Sequence, residues 1–283
     1  MLMESQITKR LRLLALDLDD TLLRSDLTIS YRTRNAIKRT ESEDVIIVLA
    51  SGRIPEAMIH SSQLLGLNKR PGYLVSNNGA IIQESHTDKI IHEARIDVET
   101  ALAVCDLASA EGFDMQIYED DIMYVTRQNV YSNYDQKLTG IRQVVVENFR
   151  AMVAGGCHKL IIPGEPAHLA HVEKILSTFL EGKVNIFTSR PYFLEVMPKG
   201  TNKGSALEMI AKLNGISAEE TLAIGDSMND EAMIRWAGTG VAMANGDERI
   251  KSIATIITER NNDDDGVAEI IEKYFLEKDV QNV

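Results

Sequence analysis

Leu13-Leu14-Ala15-Leu16-Asp17-Leu18-Asp19-Asp20-Thr21 leads four apolar residues straight into two carboxylates spaced i, i+2, with Asp20 and a hydroxyl behind them. Strands send alternate side chains to opposite faces, so Asp17 and Asp19 point the same way if the strand continues through both. Two like charges held that close repel unless a cation neutralises them or one carries a proton. Such an arrangement is costly in a scaffold and useful in an active site. The competing reading is a strand that closes in an Asp-rich turn, which Asp favours.

Far downstream, Thr221-Leu222-Ala223-Ile224-Gly225-Asp226-Ser227-Met228-Asn229-Asp230 repeats the design. Gly225 permits a tight backbone at the strand end. Asp226, Asn229 and Asp230 then offer the hard oxygen donors that Mg²⁺ prefers. Glu231–Ala237 reads as a helix, which puts Asp230 near a positive N-terminus. One acidic loop is weak evidence; two, each at the carboxyl end of a predicted strand, are much stronger.

At 283 residues, with 44% hydrophobic and 25% charged residues, the composition is that of a soluble globular enzyme. No apolar stretch is long enough to span a bilayer. The polar, mixed-charge segment from Met1 to Arg12 lacks the apolar core of a signal peptide, and Cys105 and Cys157 lie far apart without metal-like spacing. A reduced, cytoplasmic compartment is expected. A net charge of −12 without a basic block argues against a nucleic-acid partner, though not against a small phosphorylated substrate. The run Asn262–Asp265 reads as a solvated acidic loop rather than a second metal site.

Strand-length apolar runs alternate with helix-length amphipathic segments at both ends of the chain. Leu13–Leu18, Val45–Ala50 and Tyr73–Ser76 read as strands, with helices at Tyr31–Arg39 and Ile54–Leu65 between them. Thr221–Ile224, Gly240–Ala242 and Ala254–Ile257 continue the pattern, with helices at Glu231–Ala237 and Val267–Tyr274. This grammar predicts right-handed crossovers and a parallel sheet covered on both faces. The middle differs: Met115–Tyr118 and Ile122–Val125 flank a Glu-Asp-Asp turn like an antiparallel hairpin. Lys159–Ile162 and the stretch Val184–Val196 add strands, and helices fall near Val98–Glu111 and His168–Leu180. The expectation is a discontinuous α/β core, residues 1–82 and 196–283, carrying an inserted α+β domain at 83–195.

In open parallel sheets ligands bind beyond the carboxyl ends of the strands. Asp17, Ser51-Gly52-Arg53 and Asp226 each stand at such an end and converge if the strands are neighbours. Ser51 and the Gly52 amide have the donors to hold phosphate oxygens, but a helix-capping Ser is the favoured reading on its own. Lys203 falls in the first turn of a helix capped by Thr201 or Asn202, where the dipole disfavours a cation, so an anion is expected nearby. Asn77 and Asn78 fit turn chemistry and equally a contact with a substrate leaving group. His158, beside Lys159, reads as structural rather than catalytic; Tyr118, Tyr124, His158 and Tyr192 are unranked specificity candidates.

Together, DLDDT at Asp17–Thr21, Ser51, Lys203 and GDSMND at Gly225–Asp230 resemble, in order, the four motifs of the haloacid dehalogenase (HAD) superfamily of phosphotransferases. LDLDDTLL, SGR, SNNGA at Ser76–Ala80 and KGTNKG are similar to its Cof-type subfamily. Asp20 departs from the pattern, standing where many members carry Gly. The resemblance covers most of the core and only the layout of the insertion. It implies a Rossmannoid parallel-sheet core with a large α+β cap.

It further implies Asp17 as nucleophile, forming an aspartyl-phosphate, and Asp19 as general acid and then base. Mg²⁺ would be held by Asp17, the Asp19 carbonyl and Asp226, with Ser227 or Asp230 contributing directly or through water. Ser51, Gly52, Lys203, Asn229 and the Leu18 amide would grip the phosphate. Read from the residues alone, Arg53, like Asn78, is a candidate for the leaving-group side, with pairing to an acid as the alternative for Arg53. The expected function is a Mg²⁺-dependent phosphatase of a small phosphorylated metabolite, with the cap supplying specificity. A phosphomutase on the same intermediate and a non-catalytic phospho-ligand sensor are the alternatives. A receiver domain needs only about 120 residues and no insertion. The oligomeric state is open.

Overall fold

The computed structural model describes residues 10–276; most of the N-terminal segment read above for a signal peptide lies outside them. In chain order the strands are β1 (Leu13–Asp17), β2 (Ile46–Ala50), β3 (Gly72–Ser76), β4 (Ile81–Glu84) and β5 (Ile90–Glu93). Next come β6 (Gln116–Glu119), β7 (Ile122–Val125), β8 (Arg142–Val145), β9 (Leu160–Pro163), β10 (Val184–Arg190) and β11 (Phe193–Pro198). The series closes with β12 (Thr221–Gly225), β13 (Thr239–Ala242) and β14 (Ile256–Ile257).

The first sheet runs β14-β13-β12-β1-β2-β3-β4-β5. Its six strands from β14 to β3 are parallel, and β4 joins antiparallel. Every residue of β1 is buried, as a central parallel strand requires. Leu14 and Leu16 pack on one face with Ile37 of the helix Tyr31–Arg39 and with Ile270 and Ile271. Leu13 and Ala15 pack on the other with Ala206, Leu207 and Ile210 of the helix Lys203–Leu213. Each such aliphatic side chain contributes roughly 1.5–3 kcal/mol on full burial. By the same alternation Asp17 belongs to the face carrying the Lys203 helix. Register sets Asp17 opposite Ala50, Ala50 opposite Val75 and Leu16 opposite Ile224. The residues that follow β1, β2, β3 and β12 therefore leave one edge of the sheet.

The chain divides into two compact units: residues 1–52, 58–91 and 202–283, and residues 53–57 with 92–201. The division falls nine residues later and six later than the boundaries expected above. The physical reason is that β4 and β5 extend the first sheet, whereas β11 runs on to Pro198 within the second.

The second unit holds a sheet of order β10-β11-β9-β6-β7-β8. The hairpin expected at β6 and β7 is present, paired antiparallel. Ile117, Leu160, Ile162, Leu194 and Val196 face the helices Val98–Ala110 and Pro166–Phe179. Tyr118, Met123, Val125, Ile161 and Phe193 form the opposite face with Ile54. The helix expected over Ile54–Leu65 is split into a tight turn at Pro55–Met58 and a short helix at Ile59–Leu64.

Candidate active site

β1 stops at Asp17, and Leu18–Leu22 form a wide turn closed by the Leu23 N–H donating to the Leu18 carbonyl at 2.8 Å. Asp19 is extended (φ −72°, ψ 131°) and Asp20 is left-handed (φ 56°), so the strand does not continue through Asp19. The Asp-rich turn prevails over the continuous strand. A left-handed backbone costs least for Gly, then for Asn and Asp, which accounts for Asp20 at a position where Gly is common. Asn245, passed over in the sequence, donates through Nδ2 to the Asp20 carbonyl at 2.8 Å. Its signal was there to read: an Asn-Gly pair just after an apolar strand.

Lys203 opens its helix behind Asn202, whose side chain accepts from the Ser205 N–H. The anion expected near Lys203 is a pair of carboxylates. Nζ donates to Asp17 Oδ1 at 2.5 Å and Asp230 Oδ1 at 2.6 Å, and the lysine is 0% exposed. Asp230 Oδ2 accepts from the N–H groups of Asp226 (3.0 Å) and Ser227 (3.1 Å), which folds the GDSMND loop back on itself. Only glycine fits before that loop, because a Cβ on Gly225 would stand 2.5 Å from the Asp230 carboxyl carbon. Thr21 donates to Asp226 Oδ1 at 3.3 Å, tying the two acidic loops together.

Carboxylate oxygens of Asp17, Asp226 and Asp230 lie within 4.8 Å of one another. Burial, then repulsion from Asp230, pushes Asp17 well above the ordinary aspartate value against the pull of Lys203. The same two causes push Asp226 up to about 7. Burial works against the charge on Lys203, but Asp17 and Asp230 outweigh it and hold the ammonium above its usual value.

Ser51 is buried at the end of β2, and the next helical residues begin at Pro55. Its N–H donates to the Val75 carbonyl (2.8 Å), and its own carbonyl accepts from the Asn78 N–H (2.9 Å). Asn77 and Asn78 are both left-handed, as turn chemistry expects. Asn229 Nδ2 donates to Asn78 Oδ1 at 3.2 Å, and Ser227 Oγ to Asn229 Oδ1 at 2.6 Å. Leu18, Ser51, Gly52, Asn78, Ser227 and Asn229 thus lie in the same unit as the acidic cluster, whereas Arg53 groups with the second unit.

There, His158 Nε2 contacts Glu93 Oε1 at 2.7 Å. Lys159 pairs with Glu195 at 3.6 Å. Tyr118 donates to Asp135, and Tyr192 packs among Tyr131, Tyr134 and Phe193. The acidic run at Asn262–Asp265 binds its own chain: Asp263 accepts from Ser25, and Asp265 pairs with Arg24.

The pattern of haloacid dehalogenase-like hydrolases matches residues 14–271. The chain belongs to that family. The HAD fold recurs in a solved haloacid dehalogenase-like hydrolase from Bacteroides thetaiotaomicron, 33% identical with a TM-score of 0.86, covering 93% of this chain and 99% of that one. A Streptococcus pyogenes serotype M6 protein with a provisional phosphatase name is 30% identical over 94% of this chain and 99% of its own. Phosphatase YwpJ of Bacillus subtilis is 27% identical over 94% of this chain and 100% of its own. As a HAD hydrolase among such relatives, the chain is an enzyme of the phosphatase class. Among the described residues no helix is long and apolar enough to cross a membrane.

Proposed function

We propose that this HAD hydrolase is a Mg²⁺-dependent phosphatase that removes phosphate from a small metabolite, a sugar phosphate or similar phosphomonoester, through an aspartyl-phosphate on Asp17. The observation that carries the reading is the imbalance around Lys203: three converging carboxylates share one ammonium with no exposed surface. The donor set suits Mg²⁺, being hard carboxylate oxygen from Asp17 and Asp226 with Asp230 beside them. Once bound, the ion supplies the positive charge that lets a phosphate dianion approach an aspartate.

The remaining chemistry belongs to the chain. Lys203 holds Asp17 by Oδ1 and favours its ionised form, as a nucleophile requires. Asp17 attacks phosphorus while Asp19 delivers a proton to the departing alkoxide; Asp19 then takes a proton from the water that frees phosphate. Ser51, Gly52, Asn229, the Leu18 amide and Lys203 supply donors for the phosphate oxygens. Arg53 is assigned to the leaving-group side. A partner of this size accords with the net charge of −12, which discourages polyanions and is overcome locally by Lys203 and the metal.

The test is phosphate release from a panel of phosphorylated metabolites, with Mg²⁺ and with EDTA, run beside Asp17→Asn. Release that needs Mg²⁺ and disappears in the variant is expected. Release that survives Asp17→Asn would overturn the covalent route, and an isomerised sugar phosphate in place of free phosphate would identify a mutase.

A further inference from the structure

We infer that Asn78 is a positioning residue of the phosphate site: it locks the Ser51-Gly52 turn to Asn229 and so fixes the spacing of their donors. The inference rests on the phosphatase reading and departs from a leaving-group contact in making Asn78 act through its neighbours.

Turn chemistry explains the backbone at this place but not the side chain. Asn77 and Asn78 are successive left-handed residues (φ 45° and 50°), which Asn tolerates. A turn residue of that kind ordinarily leaves its amide to solvent or to its own backbone, yet Asn78 is 3% exposed and its Oδ1 accepts from Asn229. The sheet order gives that bond its reach. Asn78 follows β3 and Asn229 follows β12, while β1 and β2 lie between. Three strand spacings amount to about 14 Å, so the two loops meet across the ends of the strands that lead to Asp17 and Ser51.

A second contact sits on the near side. The Asn78 N–H donates to the Ser51 carbonyl at 2.9 Å, and its amide lies against the Gly52 Cα so closely that a Cβ there would stand 3.2 Å from both Nδ2 and Oδ1. Through its backbone and its side chain, Asn78 therefore touches two of the donor groups that the proposed mechanism places around the phosphate, the Ser51-Gly52 turn and Asn229. Ser227 Oγ, donating to Asn229 Oδ1, holds the far end of the bridge.

Two substitutions attack the bridge from opposite sides, so the test does not hang on one variant. Asn78→Gly keeps the left-handed backbone and deletes the amide. Gly52→Ala adds a methyl 3.2 Å from both amide heteroatoms, so the amide must shift by a few tenths of an ångström from the place where it meets Asn229. Both, and the double variant, are assayed as full chains with p-nitrophenyl phosphate and Mg²⁺, with inorganic phosphate as inhibitor and a thermal melt alongside. Each single change is expected to raise KM and the phosphate inhibition constant in step, by roughly three- to tenfold for one hydrogen bond, with kcat moving less. In the Asn78→Gly background, Gly52→Ala is expected to add less than about twofold, because nothing is left to displace. Unchanged KM and inhibition constants in Asn78→Gly, a lowered melting temperature as its sole effect, or single effects that simply multiply in the double variant would each overturn the positioning role. An active wild type with those results sinks the inference alone; a wild type that releases no phosphate from this substrate or the metabolite panel sinks it together with the phosphatase reading.

Discussion

In the core, Lys203 is set against Asp17, Asp226 and Asp230, whereas in the second unit Lys159 pairs with Glu195, and Asp135 accepts from the neutral donors Tyr118 and Gln116. Apart from half-buried Asp226, both groups are buried, and burying charge is unfavourable in either place. The difference is in what compensates it. Around Asp135 the donors are part of the fold itself. Around Asp17 the protein's own cation falls short of the anions, and the deficit matches what a divalent ion would bring. On the proposed reading, the contrast separates a polar network that fastens a structure from one that would take up a metal ion.

The largest effect expected is that of Asp17→Asn, which removes one carboxylate charge and keeps the shape. Turnover should fall by roughly three orders of magnitude or more, read as phosphate release. If the core is over-supplied with negative charge, the metal-free variant should melt no lower than wild type; a clear drop would break the comparison. Lys203→Met goes the other way, leaving Asp17 and Asp230 buried without their ammonium. Urea unfolding in EDTA should show a loss of about 3–5 kcal/mol.

The carboxylate shifts give a pH signature of known sign. Asp226 is raised to about 7, and Asp17 is raised too, so each favours the fold in its protonated form. That contribution is fully present below the unfolded aspartate value of about 3.9 and is lost as pH rises through the folded one. In EDTA the melting temperature should therefore fall between pH 5 and pH 8, and saturating Mg²⁺ should flatten the fall. Acids held below their usual range, such as Asp247 and Asp263, change state under more acidic conditions and leave this window clear.

Asp135→Asn probes the closed network. It should cost about 1–3 kcal/mol through mismatched hydrogen bonds with Tyr118 and Gln116, measured by urea unfolding with and without Mg²⁺ and equal in both. A loss that depended on Mg²⁺ would place Asp135 with the ligand-dependent set. The smallest effect belongs to Thr21→Val, which removes one bond to Asp226 and should cost about 0.5–1.5 kcal/mol.

How much was legible beforehand follows the same contrast. Central parallel strands are apolar on both faces, so β1, β2 and β12 stood out as runs, and the helix Tyr31–Arg39 coincided with its reading. The site motifs were visible because a strand that ends in carboxylates breaks the pattern abruptly. What hid was local and half-exposed. β8 (Arg142–Val145) has no buried residue and the helix Val130–Thr139 buries only polar Ser132 and Asp135, so neither leaves a hydrophobic stripe. β4 and β5 were not read as strands, so the expected boundary after residue 82 cuts through β4 and leaves β5 with the insertion, whereas both extend the first sheet. The turn after Asp17 was weighed but not decided, since alternation describes a strand only while the strand lasts.

Lys203 has one more consequence, for chemical labelling. An amine with no exposed surface, clasped by two carboxylates, is closed to acylating reagents and to trypsin while surface lysines such as Lys212 react freely. Modification there must wait for the core to open. The rate at which Lys203 acquires a label would therefore time the opening of the parallel sheet around it, residue by residue in a peptide map and with no substrate required.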